Sequence, residues 1–278
     1  LKIPLHTVNF AKEYWDKVFS YFLDAYAAGL TPNPDILCNQ EIKFKAFLDY
    51  AVNMGAEYIA TGHYARIMQN HKSNINDFSL LKGVDQTKDQ SYFLHRLNQY
   101  QLSKSLFPIG DLTKETVRKI AKQHEIPTYK KKDSTGICFI GERKFKNFLE
   151  QYLPAQPGSI ITPEGDEIGT HEGLMYYTLG QRQGLNIGGL KNYPEKPWYV
   201  AEKNMLNNQL IVVQDPTHEL LNNKYLTAND IHWIQQPPLI NNLPPEIYTA
   251  KVRYRQKDQN CTINDLQPNK IKIEFDIS

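Results

Sequence analysis

The sequence predicts an α/β domain followed by all-β modules. Three observations lead there. Apolar residues at helical spacing alternate with short β-like runs over roughly the first half. Helical periodicity ends with "ERKFKNFLEQYLP". After about Pro154 only short β-like runs separated by turn formers remain.

The elements follow in order. Phe10, Tyr14, Val18, Phe22 and Tyr26, with Trp15, Phe19 and Leu23 alongside, form one wide helical stripe that Gly29 stops as a C-terminal cap. A second helix is predicted to begin near Asn39, a good N-cap type, and to run through Ile42, Phe47, Tyr50, Ala51 and Met54 to Gly55. "EYIATGHYARI" reads as a buried strand emerging into a loop at Gly62 and His63. A further helix starts after Thr113, with Glu115 in its first turn, and stops before Pro127. Strand, helix and strand in turn predict a parallel sheet covered by helices. Beyond Pro154 the β-like runs are "GSIITPEGDEIG", "WYVAEKNMLNNQLIVVQD", "YTAKVRYRQ" and "NKIKIEFD", with "IQQPPLINNLPPEIY" as an extended, proline-rich connection.

At 278 residues the chain is long enough for two or three domains. A mean hydropathy of -0.54, with no apolar run near the ~18 residues a membrane helix needs, predicts no membrane span. The start, "LKIPLHTVNF", has no secretory pattern and no initiator methionine, so a processed or incomplete piece is expected. Net charge is +2, too small to announce a nucleic-acid protein by composition. Basic residues do cluster in "YKKKDS" (Tyr129–Ser134) and "KVRYRQK" (Lys251–Lys257), and such runs are as often plain solvated faces. The three cysteines, Cys38, Cys138 and Cys261, make no C-x-x-C pair, and no histidines stand at i, i+4, so no zinc site and no histidine-built metal site is expected. An odd, small cysteine count fits a reducing cytoplasm.

Two cysteines attract attention. Cys38 is expected immediately before a helix, where amide groups and the macrodipole favour a thiolate, with Pro32 and Pro34 stiffening the approach and Asp35 three residues upstream. A carboxylate there can move a proton, although it would oppose a thiolate if too close. Read alone, the stretch equally describes a buried cysteine beside a turn-forming aspartate. Cys138 sits in "KKDSTGICFIGER", rich in Gly, Ser and Thr and next to basic residues that depress a thiol pKa. Two thiols in polar loops of one α/β domain suggest paired work, one carrying sulfur and the other resolving it. Two unrelated thiols remain the alternative. Cys261, in "NCTIND" between expected strands, reads as packing. "TGHYAR" follows a strand, and ligands of open α/β sheets lie beyond strand carboxyl ends. Gly62 would admit a nucleotide close to the backbone, and His63 would hydrogen-bond a substrate. Lys88, Asp89 and Gln90 fall at an expected helix start, where capping and surface charge explain them equally well.

Taken together, "GLTPNPDILCNQEIKF", "ATGHYAR", "KDQSYFL", "DSTGICFIGERKFKNFL", "YTLGQRQGL" and "VRYRQ" resemble the tRNA-uridine 2-sulfurtransferases (2-thiouridylases), from Gly29 to Gln256. The resemblance implies an ATP-pyrophosphatase-type (adenine-nucleotide alpha-hydrolase-like) α/β domain over 1–145, a small central β domain over 146–218 and a C-terminal β-barrel over 219–278. It implies ATP-dependent 2-thiolation of the wobble uridine of tRNA, with ATP and Mg2+ as cofactors, sulfur carried as a cysteine persulfide, and tRNA and a sulfur-donor protein as partners. Cys38 would be the nucleophile, Cys138 the persulfide carrier and Asp35 the general acid or base. Asn33, Pro34 and Asp35 would meet the target base; His63, Lys88, Asp89, Gln90, Arg253 and Tyr254 would contact tRNA; Gly62 would contact ATP. The family's glycine- and serine-rich phosphate loop and the barrel's closing strands have no counterpart in this sequence, so the chain by itself is expected to be inactive. Three other readings stay open: a synthetase adenylating a small molecule, a non-catalytic tRNA-binding fragment, and an iron–sulfur cluster on Asp35, Cys38 and Cys138.

Overall fold

The computed structural model describes residues 3–70, 77–131, 148–237, 247–254 and 256–276. Cys138 and most of its motif, the middle of the proline-rich connection, and Arg255 of the second basic run lie outside these residues.

The first helical rod follows the predicted stripe. It comprises α1 (Ala11–Tyr14), a π-helical stretch (Trp15–Phe19) and α2 (Ser20–Ala27). It ends as predicted: Gly29 has φ +77°, its amide bonds the Tyr26 carbonyl, and the Leu30 amide bonds that of Ala25. That pair of bonds is a Schellman cap, and a left-handed residue there favours glycine.

The second rod starts earlier than predicted. Asn33, not Asn39, is the N-cap: its Oδ1 accepts from the Asp35 amide at 3.1 Å, and Pro34 occupies the first helical position, where no amide donor is needed. The rod comprises α3 (Pro34–Leu37), a π-helical stretch (Cys38–Ala46) and α4 (Phe47–Asn53), and Gly55 at φ +93° closes a second Schellman cap. Cys38 therefore lies one turn inside a helix rather than in a loop before it.

This rod divides two cores. Cys38 and Ile42 pack with Val18, Phe22 and Tyr26 of the first rod and with Phe148 and Leu149. Phe44 and Leu48 pack instead with Ile59, Leu94, Leu102 and Phe107. The predicted parallel sheet is present as β1 (Ile59–Ala60) paired with β4 (Ser105–Leu106). As expected, β1 emerges into a loop at Gly62 and His63, and after it β2 (Ala65–Asn70) pairs antiparallel with β3 (Asp77–Lys82). Lys88–Gln90 lead into a single 3-10 turn, Ser91–Phe93, rather than a helix. The α5 (Gln99–Ser103) and α6 (Lys114–Gln123) helices complete this region, the latter capped by Thr113 as expected.

The β modules follow. One sheet has the order β6-β5-β8-β7, built from β5 (Gly158–Ile161), β6 (Glu167–His171), β7 (Tyr199–Asn204) and β8 (Gln209–Val213). Its core holds Ile160, Trp198, Val200, Leu210 and Val212. The last sheet is antiparallel, order β10-β11-β12-β9, from β9 (Tyr225–Asn229), β10 (Tyr248–Ala250), β11 (Gln259–Gln267) and β12 (Lys270–Phe275). Two expectations change here. Cys261 lies on β11, buried opposite Tyr248 and Phe275, rather than between strands. The run "YTAKVRYRQ" is strand only over Tyr248–Ala250, which leaves Lys251–Tyr254 as a loop.

Candidate active site

The Asn33 cap and Pro34 wind the chain into a helix whose first two turns carry Asp35 and Cys38. Residues at i and i+3 stand on one face, roughly 5–6 Å apart at Cβ, so carboxylate and thiol are neighbours by construction. Cys38 is 0% exposed, against the expectation of a thiol in a polar loop, whereas Asp35 is partly exposed. The next residue, Asn39, is 2% exposed, and its Nδ2 donates to the Phe93 carbonyl at 3.1 Å.

Loops from all three parts of the chain meet here. The segment entering the Cys38 helix touches the central module: the Thr31 and Thr178 hydroxyls are 3.3 Å apart, and Lys203 Nζ donates to the Gly29 carbonyl at 2.9 Å. Burial at that contact pushes the Lys203 ammonium down to about 8. The C-terminal loop reaches both neighbours. Arg253 donates to the Leu179 carbonyl of the central module, and the Tyr254 ring packs on Phe93 with centroids 4.5 Å apart. Lys251 Nζ lies 3.8 Å from Asp89 Oδ2. The motifs around Asn33, Ser91, Thr178 and Arg253, distant in sequence, thus form one junction. Beside it, a cleft of about 580 Å³ is lined by Tyr21, Pro32, Asn33, Ile36, Gln40 and Arg96 among others.

The remaining predicted residues divide. Gly62 follows β1, and a Cβ built there meets no atom within 4 Å, so the space beside it is open. His63 is not displayed for a ligand. It is buried between the Phe44 and Phe107 rings, and its Nδ1 is 2.8 Å from the Thr61 hydroxyl. Burial, with the Lys43 ammonium adding to it, pushes its imidazole down to about 4, so it is neutral at physiological pH. Asp89 is also buried; its carboxylate accepts from the Gly83 amide (2.9 Å) and from the Ser91 hydroxyl (2.9 Å). Gln90 exchanges two hydrogen bonds with the Tyr64 backbone. Both hold the "KDQSYFL" turn in shape. Lys88 is half-buried beside Asp85, which its charge helps to hold below the usual carboxylate range after hydrogen bonds from Lys114 and Thr87. Among the described residues no group of three or more His, Cys, Asp and Glu could hold a metal ion.

Sequence reasoning missed Asn39, Phe93 and Lys203. "YTLGQRQGL" and "KDQSYFL" pointed to the right turns, but nothing in the string marked Lys203.

Such a fold and junction define a class: an α/β domain with an open glycine after a parallel strand, one β module touching the segment that enters its cysteine-bearing helix and a second packed on the neighbouring turn. Comparison with known proteins agrees. Residues 1–142 match the family model described as "tRNA methyl transferase HUP domain", 146–214 "tRNA methyl transferase PRC-barrel domain" and 223–278 "Aminomethyltransferase beta-barrel domain". The chain is 55% identical over 280 residues to a tRNA-specific 2-thiouridylase MnmA of Psychrobacter sp. (strain PRwf-1), covering 99% of this chain and 70% of that protein. It is 58% identical over 278 residues to the protein of that name from Salmonella typhi (99% and 73%), and 55% to that of Alcanivorax borkumensis (99% and 74%). The chain belongs to the tRNA-specific 2-thiouridylase family.

Proposed function

We propose that this chain serves ATP-dependent 2-thiolation of the wobble uridine in a tRNA anticodon as part of the complete enzyme rather than by itself, with sulfur delivered through a cysteine persulfide. The observation that carries the reading is the junction itself: the cysteine-bearing helix, the Ser91–Phe93 turn and the Arg253–Tyr254 loop come together from distant parts of the chain, and an unstacked single-stranded base is the kind of target such a junction of loops suits. The relatives' names point to the same reaction.

In this reading the three domains span 1–145, 146–218 and 219–278. Asn33, Pro34 and Asp35 meet the base, and Lys88, Arg253 and Tyr254 contact the RNA. His63, Asp89 and Gln90 contribute by shaping the loops that do so. ATP, entering with Mg2+ on its phosphates, fits the open space at Gly62 and supplies the activation that turns the uridine 2-oxygen into a leaving group.

Cys138 carries the persulfide, loaded by a sulfur-donor protein. Its terminal sulfur bonds to carbon-2 as the activated oxygen departs. The Cys38 thiolate then attacks the Cys138 sulfur and breaks its bond to the delivered sulfur. This leaves 2-thiouridine and a Cys38–Cys138 disulfide for cytoplasmic thiols to reduce. Electrons balance, because two thiols become one disulfide as the persulfide sulfur is reduced. Asp35, one turn before Cys38, holds and returns the proton.

Replacing Cys138 by Ser tests the reading, with tRNA digested and 2-thiouridine quantified. Loss of the modified nucleoside is expected, together with a persulfide mass on Cys138 of the unaltered protein after incubation with a sulfur-loaded donor. Normal 2-thiouridine in the variant would overturn it. A synthetase acting on a small molecule has no comparable support, because it leaves the junction of β modules on the Cys38 helix without a purpose.

A further inference from the structure

We infer that Asn39 is a positioning residue for Cys38: its carboxamide ties the turn bearing the thiol to the Ser91–Phe93 turn, at a point where the chain accepts an unpaired polar atom to make the tie. The inference rests on the reading of Cys38 as the attacking thiol.

The side chain does not cap a helix, although its residue type suits that role. It sits within the helix at 2% exposure, and its Nδ2 donates to the Phe93 carbonyl, 54 residues on, at 3.1 Å. Its Oδ1 is buried with no hydrogen-bond partner among the described residues. A buried acceptor left unpaired is costly, and such groups call for an explanation. Stability alone does not supply one, since an apolar side chain of similar shape would only exchange the orphaned Oδ1 for a Phe93 carbonyl without this donor.

The placement of the tie does. Gln101 Nε2 bonds the Phe44 carbonyl and Arg96 Nε bonds Gln40 Oε1, which anchors the helix further along. Of these three ties, the Asn39 bond stands nearest Cys38 in the chain. Its acceptor, Phe93, also carries the ring that packs on Tyr254. One residue thus presents its carbonyl to the cysteine helix and its ring to the loop proposed to hold RNA. Neighbouring residues on a helix do not face each other, so Asn39 acts by fixing the backbone from which Cys38 projects. A nucleophile displaced by even ~1 Å loses about two orders of magnitude in rate.

The test is Asn39→Leu, near in shape, in the complete protein with tRNA, ATP and a sulfur-loaded donor. The substitution removes the orphaned Oδ1 and leaves the Phe93 carbonyl without this donor, exchanging one unpaired group for another. The melting temperature is therefore expected to hold, while kcat falls tenfold or more and KM for tRNA changes little. Alkylation of Cys38, followed by peptide mass, is expected to quicken about fivefold as local opening becomes easier. Asn39→Ser, too short to reach Phe93, is expected to repeat both effects and serves if the leucine variant does not fold. Turnover within twofold of the unaltered protein, or a loss of turnover that only tracks a lowered melting temperature, would overturn the inference. Cys38→Ser runs alongside. If it still makes 2-thiouridine, the functional reading fails; if it is inactive while the Asn39 variants work normally, only the present inference does.

Discussion

At the scale of single residues, burial decides roles that residue type leaves open. His63 looks like a ligand-binding imidazole in the string "TGHYAR", yet the structure wedges it between two phenylalanine rings. The consequence is a pH dependence of known sign. With a folded pKa of about 4 against an ordinary 6.5, the folded state binds fewer protons than the unfolded one throughout that window. Stability therefore rises with pH from about 4 to 6.5 and is full above it, a contribution of roughly 3 kcal/mol. Unfolding measured from pH 7 down to 4.5 should show a shallower loss in His63→Gln than in the unaltered protein. Parallel curves would refute this. Cys38 teaches the same lesson. The sequence showed a cysteine with a stiffened approach and a nearby carboxylate, but its burial depends on Val18 and Phe22 of another helix, which local spacing cannot report.

At the scale of elements, helix ends were legible where their chemistry had no competitor. Gly29 and Thr113 were placed correctly, because a left-handed terminus and a hydroxyl cap each leave a local mark. The start of the Cys38 helix is ambiguous in the sequence because two asparagines compete for it, whereas its end at Gly55 is not. Asn33 followed by Pro34 is the stronger signal, since proline suits the first helical position. Its cap allows a separation of roles. Aspartate caps as well as asparagine, so Asn33→Asp should keep stability within about 0.5 kcal/mol. The amide donors proposed to meet the base are lost, so 2-thiouridine formation should fall at least tenfold. A variant both stable and fully active would remove Asn33 from base recognition. The strands of the β modules were legible by alternation, apart from β9 and β11, whose many polar residues hide a half-buried face.

At the scale of the whole molecule, the site is an assembly that no window of sequence contains. Thr31 meets Thr178, and Arg253 meets Leu179. The last module is further seated by the His232 ring on the Leu97 carbonyl (3.0 Å) and by Gln235 on Ser79 (2.8 Å). The motifs were visible as strings; their convergence needed the fold. The proposed contact of Arg253 with tRNA predicts an electrostatic signature, because an arginine that binds a phosphate releases counterions. Arg253→Ala should weaken tRNA binding and reduce the salt slope of log K by about one. An unchanged slope would place Arg253 in interdomain packing alone. The central claim is that two cysteines exchange sulfur with each other at this junction. A single turnover without reductant, followed by non-reducing peptide mapping, examines it most directly. The account predicts a Cys38–Cys138 disulfide formed in step with 2-thiouridine. Thiouridine accumulating while both thiols stay reduced would contradict it.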